Sequence, residues 1–183
     1  SCKQISIFSW FFIDFDVVPD LGKYKEHIFE AHLMTKSPEK YFSILKEKGF
    51  KKTIFHYEAF FEKEKIISFA RKIKKEGMAV FLAVNPETKV HDYLLLLKEF
   101  DGVMFMGVHP GKEHQTFIYS VLEHVKELRH FDKKIDIQLD GGVNAGNISY
   151  IKKAGVNIFN SGSYISESDN PKAALKKLKD EIK

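Results

Sequence analysis

Short apolar segments alternate with longer segments of helical periodicity along most of the chain. The apolar segments are rich in Ile, Val, Phe and Leu and contain few polar residues, which is typical of strands buried on both faces of a parallel sheet. Seven such segments predict strands at residues 4–15, 29–34, 52–58, 78–84, 102–108, 135–140 and 156–162.

The segments between these strands place their apolar residues on one side of a helix. The helix predicted over residues 63–76 shows this clearly, and Gly77 follows it as a stop signal. Ser37 is predicted to cap a helix that starts with Pro38, since proline suits a first helical turn. Further helices are predicted over residues 89–99, 117–130, 148–154 and 172–182.

This alternation predicts a mostly parallel sheet. Two forms compete: an open doubly wound sheet, and a (β/α) barrel with one unit missing. No GxGxxG motif follows the first strand, which disfavours a dinucleotide-binding open sheet. Polar and glycine residues recur just after strands, and in a barrel those strand ends meet on one face. They are Asp14, His32, His56, Glu58, Asn85, His109, Asp140 and Gly162.

Composition narrows the function classes. A chain of 183 residues with 44% hydrophobic and 30% charged residues is typical of one soluble domain, which we expect over residues 1–183. The net charge is +4, but the lysines are spread along helical segments, so we expect no nucleic-acid partner. The single cysteine, Cys2, excludes an intrachain disulfide and favours a cytoplasmic location. The longest apolar segment, ISIFSWFFI, is too short to cross a membrane.

Two aspartates are candidates for proton transfer. Asp14 and Asp140 end strands that are far apart in sequence, so in a barrel they could face each other across the mouth. Carboxylates on opposite sides of a substrate can remove a proton from one face and return one to the other, as epimerisation requires. Alternatively, each aspartate caps a turn or a helix.

Three further polar residues lie close to these strand ends. His32 in EAHLM is either a hydrogen-bonded core residue or, with Asp14 and Asp140, a ligand for zinc, iron or manganese. His56 and Glu58 project to one face if both lie on a strand. They are equally well interpreted as hydrogen-bonded support for the site and as reacting groups.

Glycine-containing turns follow the last two predicted strands. Gly141–Gly142 and the segment NSGS, residues 160–163, allow backbone N–H groups to approach an anion, which favours a phosphate site. The other interpretation is that these glycines only make tight turns. The segment 106–117 is long enough to cover a bound substrate, or it is a surface connection.

Together, these motifs resemble the ribulose-phosphate 3-epimerase family. The matching segments are EAHLM followed by PEKY, FHYEA, AVNPET, FMGVHPG, LDGGVNAGN and NSGS, in the family's order from about residue 29 onwards. The resemblance implies a ribulose-phosphate-binding TIM (β/α)8-type barrel. It also implies interconversion of D-ribulose 5-phosphate and D-xylulose 5-phosphate by two-carboxylate proton transfer at C3, through a metal-stabilised enediolate.

The resemblance also assigns roles to individual residues. Asp14 and Asp140 would be the acid/base carboxylates, and His32 would join them as ligands of a divalent metal. Met34 and Met106 would line an apolar wall. A phosphosugar would be held through its phosphate by Gly141, Gly142, Gly162 and Ser163.

The chain departs from the family near its N-terminus. Phe12 stands where the family's His-x-Asp motif has histidine, so one metal ligand is absent and the metal would be weakly held, replaced by another or missing. The family's first strand is missing from the pattern, which predicts a shortened barrel of about seven strands. Such a barrel exposes strand edges, so we expect self-association into a homo-oligomer.

Two alternatives to the pentulose epimerase stay open. One is a 3-epimerase acting on a hexulose 6-phosphate such as allulose 6-phosphate, because the same motifs would serve either sugar. The other is a catalytically inactive relative that binds a phosphosugar, which the replacement at Phe12 favours.

Overall fold

The computed structural model describes residues 4–6, 15, 18–111 and 115–183. Its strands within these ranges are β1 (Gln4–Ser6), β2 (Glu30–Leu33), β3 (Lys52–His56), β4 (Ala79–Val84), β5 (Gly102–Met106), β6 (Asp136–Asp140) and β7 (Ile158–Asn160). Its α-helices are α1 (Phe42–Glu47), α2 (Lys63–Lys75), α3 (Val90–Tyr93), α4 (Val121–Phe131), α5 (Ile148–Ala154), α6 (Ser163–Ser166) and α7 (Pro171–Glu181).

The described strands form one parallel sheet in the order β1-β7-β6-β5-β4-β3-β2. This order follows the sequence from β2 to β7 and then returns to β1, as it does in a barrel. Within the described residues, β1 pairs with the last strand and does not pair with β2. The ring of strand pairs is therefore interrupted between β1 and β2 in this part of the chain.

Side-chain contacts show that the sheet is curled. Three strands separate β2 from β6, so a flat sheet would hold them about 19 Å apart at roughly 4.8 Å per strand. Yet Gln138 Nε2 on β6 donates to Glu30 Oε1 on β2 at 2.7 Å. These side chains therefore meet inside the curl, and the prediction of an incomplete barrel is confirmed.

Two apolar layers hold this sheet, one on each of its faces. On β5, Val103 and Phe105 point outward into the large core that the helices cover, whereas Met104 and Met106 point inward. The period-2 alternation of strand side chains produces this division. The inner layer is the smaller one and consists of Ile54, Phe81, Ala83, Met104, Met106 and Ile158, with Met34 packed against it. None of the helices within the described ranges has the length and apolar character needed to cross a bilayer.

Two predicted helix starts are wrong. Ser37 makes no side-chain cap, and a 3-10 turn over Pro38–Tyr41 precedes α1. The helix predicted from residue 117 begins at Val121. Phe117 instead packs over two glycines, where a methyl group on Gly107 would collide with its ring.

Other predicted boundaries also shift. The strand predicted over residues 52–58 ends at His56, and a 3-10 turn over Tyr57–Ala59 follows. The helix predicted over residues 89–99 divides into α3 and a 3-10 segment, Leu94–Glu99. The predicted strand over residues 4–15 is described only as β1, and most of its remainder lies outside the described residues.

Candidate active site

Asp140 is fixed at the C-terminal end of β6 by its own backbone. Its carbonyl accepts a hydrogen bond from the Gly107 N–H at 2.6 Å, and the residue is 4% exposed. The chain then turns through Gly141 and Gly142, whose φ angles of 99° and 70° favour glycine. A side chain at position 141 would also meet Val108. These glycines therefore make the tight turn that the sequence allowed, and they leave the Asp140 carboxylate inside the curl.

A row of four side chains crosses the interior from Asp140. His32 Nδ1 lies 3.3 Å from Asp140 Oδ2, and His32 Nε2 lies 2.8 Å from His56 Nε2. The two imidazole rings are stacked with their centroids 5.0 Å apart. His56 Nδ1 in turn lies 3.4 Å from Glu58 Oε2. The structure thus joins two predicted site residues to the two residues predicted to support them.

Glu58 anchors the outer end of this row. It lies on the 3-10 turn after β3 rather than on the strand itself, which corrects the strand prediction that placed it beside His56. Its Oε1 accepts from the Asn85 backbone N–H at 2.9 Å and from the Thr88 hydroxyl. Burial would raise the pKa of this carboxyl, but the hydrogen bonds from His56, Thr88 and Asn85 outweigh burial and lower the pKa. Glu58 is therefore an ionised acceptor.

Neutral imidazoles at both positions would leave the row one proton short. Burial lowers the pKa of His32 below its ordinary value of 6.5, although Asp140 opposes that shift, so the imidazole is neutral. Two neutral imidazoles would carry two N–H protons for three gaps between the four side chains. The 2.8 Å gap between the nitrogens requires a proton. The gap at one end of the row, at Asp140 or at Glu58, would then lack a proton.

A divalent cation fits the end at Asp140. Metal–ligand distances near 2.1 Å place two ligands of a tetrahedral ion about 3.4 Å apart, and the separation between His32 Nδ1 and Asp140 Oδ2 is 3.3 Å. The remaining protons would then run from His32 to His56 and from His56 to Glu58, the outer-sphere pattern typical of metal-bound histidine. Within the described residues, no group of three or more His, Cys, Asp or Glu side chains is arranged to hold a metal. The predicted third ligand, Asp14, lies outside the described residues, as does Phe12.

The remaining predicted site residues surround this row. Met106 is buried in the inner apolar layer and Met34 packs against the same layer, so both lie along the interior. Gly162 precedes the four-residue helix α6, which begins at Ser163. The structure places them after β7, next in the sheet to β6, and their predicted role in phosphate binding stays a prediction.

The segment predicted as a lid contacts the neighbouring loop. His109 Nδ1 lies 3.3 Å from Glu87 Oε1 in the loop after β4, and both side chains are exposed. Gln115 Nε2 donates to the His109 carbonyl at 2.6 Å. Residues 112–114 of this segment lie outside the described residues. The segment therefore lies against the loop that also supplies Asn85 and Thr88 to Glu58.

Sequence reasoning missed a second polar group, one layer deeper in the barrel. It consists of Glu30, Lys52, Gln138 and Asn160, all of which are buried or nearly so. A signal was present, because Glu30 and Gln138 each lie two residues before a predicted site residue on the same strand face. Charged and amide residues at inward positions of buried strands indicate an interior polar network.

Sequence comparisons place the chain among known enzymes. The model of the ribulose-phosphate 3 epimerase family matches residues 10–166. The ribulose-phosphate 3-epimerase of Schizosaccharomyces pombe is 32% identical over 86% of this chain and 68% of its own length. That of Mycobacterium tuberculosis is 32% identical over 91% of this chain and 73% of its own length.

Solved structures share the fold at lower identity. KGPDC from Streptococcus mutans superimposes with a TM-score of 0.69 at 16% identity over 88% of this chain and 75% of its own. The 3-hexulose-6-phosphate synthase of Salmonella typhimurium gives 0.68 at 16% identity, over 88% and 76% of the two chains. These likenesses support the incomplete barrel, and the sequence comparisons show that the chain belongs to the ribulose-phosphate 3-epimerase family.

Proposed function

We propose that the chain interconverts D-ribulose 5-phosphate and D-xylulose 5-phosphate by moving the proton at C3. The observation that carries the proposal is the buried pair of Asp140 and His32, which β6 and β2 bring within 3.3 Å of each other. Membership of the epimerase family supports the same reaction class. A buried carboxylate that protein donors do not fully satisfy is suited to act on a ligand.

Asp140 and Asp14 would divide the proton transfer between two faces of the substrate. One carboxylate removes the C3 proton and the other returns a proton to the opposite face, so the configuration at C3 is inverted. Asp140 suits this work because its backbone is fixed by Gly107 and by the glycine turn that follows. Asp14 is assigned from the family motif.

The metal-binding residues would be His32 and Asp140, with Asp14 as the third ligand. A bound zinc, iron or manganese ion supplies Lewis-acid stabilisation of negative charge on substrate oxygens. His56 and Glu58 would hold His32 in the tautomer whose Nδ1 lone pair faces Asp140. With Phe12 in place of a histidine, we expect this ion to be weakly held.

The substrate would be a phosphosugar that extends from Asp140 towards the loops after β6 and β7. Gly141, Gly142, Gly162 and Ser163 would offer backbone N–H groups to its phosphate. Met34 and Met106 would exclude water from the reacting carbons.

Proton NMR in D₂O tests this function directly. Purified protein is mixed with D-ribulose 5-phosphate, with and without added Zn²⁺, Mn²⁺ or Fe²⁺, and the C3 proton signal is followed. We expect the signal to disappear as xylulose 5-phosphate forms. Exchange without xylulose 5-phosphate would show that one carboxylate works and the other is misplaced.

The same measurement separates the alternatives. Epimerisation of allulose 6-phosphate, with no exchange of ribulose 5-phosphate, would favour the hexulose enzyme. A folded protein that binds ribulose 5-phosphate but exchanges no proton with any metal would be a binding relative, and the proposed reaction would be wrong.

A further inference from the structure

Lys52 determines which groups donate and which accept in the deeper polar layer. Its ammonium group lies 2.5 Å from Glu30 Oε2, donates to Gln138 Oε1 at 2.8 Å and lies 4.1 Å from the centre of the Phe81 ring. An ammonium group has three donors and no acceptor, so these three contacts use it completely. Whatever faces Lys52 must therefore be an acceptor.

This requirement orients the Gln138 amide. Because Oε1 must face Lys52, the Gln138 NH₂ group points the other way, to Glu30 Oε1 at 2.7 Å and to Asn160 Oδ1 at 2.8 Å. Both of its hydrogens are used. Asn160 must then turn its own oxygen towards Gln138, which leaves its NH₂ group directed elsewhere.

The Asn160 NH₂ group ends this chain of donors without an acceptor. Asn160 is 1% exposed, and its Nδ2 has no hydrogen-bond partner in the described part of the chain. Leaving such a donor buried and unpaired costs roughly 1–3 kcal/mol, which is unusual unless a ligand or water pairs with it. Asn160 shares the inward face of β7 with Ile158, and it pairs in register with Asp140.

We propose that Asn160 is a substrate-binding residue whose Nδ2 donates a hydrogen bond to an oxygen of the sugar carbon chain, next to the reacting carbons. This inference rests on the proposed phosphosugar substrate. The position along the strand decides between sugar and phosphate. Asn160 lies level with Asp140, whereas Gly162 is two residues further on, about 6–7 Å along an extended chain. The amide therefore serves the sugar, and the loop after it serves the phosphate.

Two variants test the donor in different ways. Asn160→Leu removes the amide with little change in volume. The double variant Glu30→Gln/Gln138→Glu keeps the charge of the layer and keeps Asn160, but it places a carboxylate where Gln138 donated. Asn160 must then turn its NH₂ group towards residue 138 and present its oxygen to the sugar. Ser161→Ala is the matched control, because that buried hydroxyl donates to the Val143 carbonyl instead.

Calorimetry measures the binding of D-ribulose 5-phosphate and of inorganic phosphate to each protein. We expect Asn160→Leu to bind ribulose 5-phosphate roughly five- to ten-fold more weakly, the value of one hydrogen bond, with phosphate binding unchanged. The double variant should weaken binding as much if the sugar oxygen is a carbonyl, whereas a hydroxyl can donate to the reversed amide and keep the bond. The control variant should match wild type. In ¹H–¹⁵N spectra, the Asn160 NH₂ signals, identified by their loss in Asn160→Leu, should shift with ribulose 5-phosphate and not with phosphate.

Several outcomes would overturn the assignment. Asn160 signals that stay unmoved at saturating ribulose 5-phosphate would show that the amide does not touch the sugar. Full affinity in Asn160→Leu would do the same, because the amide would then add nothing to sugar binding. If wild type does not bind ribulose 5-phosphate at all, the proposed function fails together with this inference. Binding without any response at Asn160 overturns this inference alone.

Discussion

The barrel interior contains two polar layers. The upper layer is the row of Asp140, His32, His56 and Glu58, and the lower layer is the deeper group of Glu30, Lys52, Gln138 and Asn160. The two layers differ in how many of their donors and acceptors are paired. In the lower layer, every donor of Lys52 and Gln138 has an acceptor, and among its four described residues only the Asn160 NH₂ group, level with Asp140, lacks one. In the upper layer, two imidazoles lie between two carboxylates, and two neutral rings would leave one of the three gaps without a proton. Strands β2, β3 and β6 each supply a residue to both layers.

This difference in pairing distinguishes side chains that stabilise the fold from side chains that are suited to bind a ligand. A buried network that is complete within the protein holds strands together and has no need of a ligand. A buried network that lacks a proton or a cation is costly unless something binds there. The lower layer therefore ties β2 to β6 across the barrel, whereas we propose the upper layer as the place where a cation and a substrate bind.

Removing the carboxylate that we propose transfers the proton should have the largest effect. We expect Asp140→Asn to lower turnover of ribulose 5-phosphate by roughly 10²–10⁴-fold, because the amide cannot accept the C3 proton. Substrate binding, measured by calorimetry, should persist. Asp136→Asn changes a carboxylate at the opposite end of β6 and serves as the control. Unchanged turnover in Asp140→Asn would show that Asp140 carries no proton.

Breaking the complete layer should cost stability. Lys52→Met leaves Glu30 buried without its cation, so we expect the free energy of unfolding to fall by about 3–5 kcal/mol. Urea unfolding measures the change. Lys65→Met breaks an exposed pair with Glu62 and should leave the midpoint unchanged. Equal effects of the two substitutions would contradict the clamping role of the lower layer.

Removing the support of His32 should weaken metal binding. His56→Phe keeps a ring beside His32 but removes the acceptor at 2.8 Å, so we expect Zn²⁺ affinity to fall about 10–100-fold. Competition with a chromophoric chelator gives the affinity directly. The exposed His130, changed to Phe in the same way, is the matched control. If both variants bind Zn²⁺ with the same affinity, His56 does not support metal binding by His32.

The smallest effect is the pH dependence of stability without metal. Burial holds the pKa of His32 below its ordinary 6.5, so the unfolded chain takes up a proton that the folded protein resists. Stability should therefore fall as the pH drops below 6.5 towards the folded-state pKa, by at most about 1.4 kcal/mol per pH unit.

Urea unfolding between pH 5 and pH 8 (about the range in which histidine titrates) measures this slope in the presence of a chelator. His32→Gln should flatten it, and His130→Gln should not. A wild-type slope that survives in His32→Gln would assign the effect to another group.

Strand periodicity predicted the parallel sheet because buried strands need continuous apolar segments. It could not predict that Phe117 leaves the helical pattern to cover Gly107 and Gly142, since that contact joins different strand ends. Strand periodicity also could not predict the 3-10 turn that contains Glu58. The apolar pattern is the same whether β3 ends at His56 or two residues later.

Sequence reasoning located the polar residues that end strands, whose roles stay predictions, and overlooked those that lie inside strands. Asp140 and His32 were identified from their places, and the barrel brings them together. The sequence pattern did not identify Lys52 as a buried residue, because a lysine at the start of a strand is usually solvated. Its burial depends on Glu30 and Gln138, from strands that only the curl of the sheet brings near.

We infer that a cation binds between His32 and Asp140 in the upper layer. Long-range ¹H–¹⁵N NMR of histidine-labelled protein, with and without Zn²⁺, tests it most directly by reporting the proton on each ring nitrogen. We expect Zn²⁺ to shift the His32 Nδ1 signal and to leave a proton on His32 Nε2. A His32 that keeps its proton on Nδ1 at saturating Zn²⁺ would contradict the account, because the pair with Asp140 would then be an ordinary hydrogen bond.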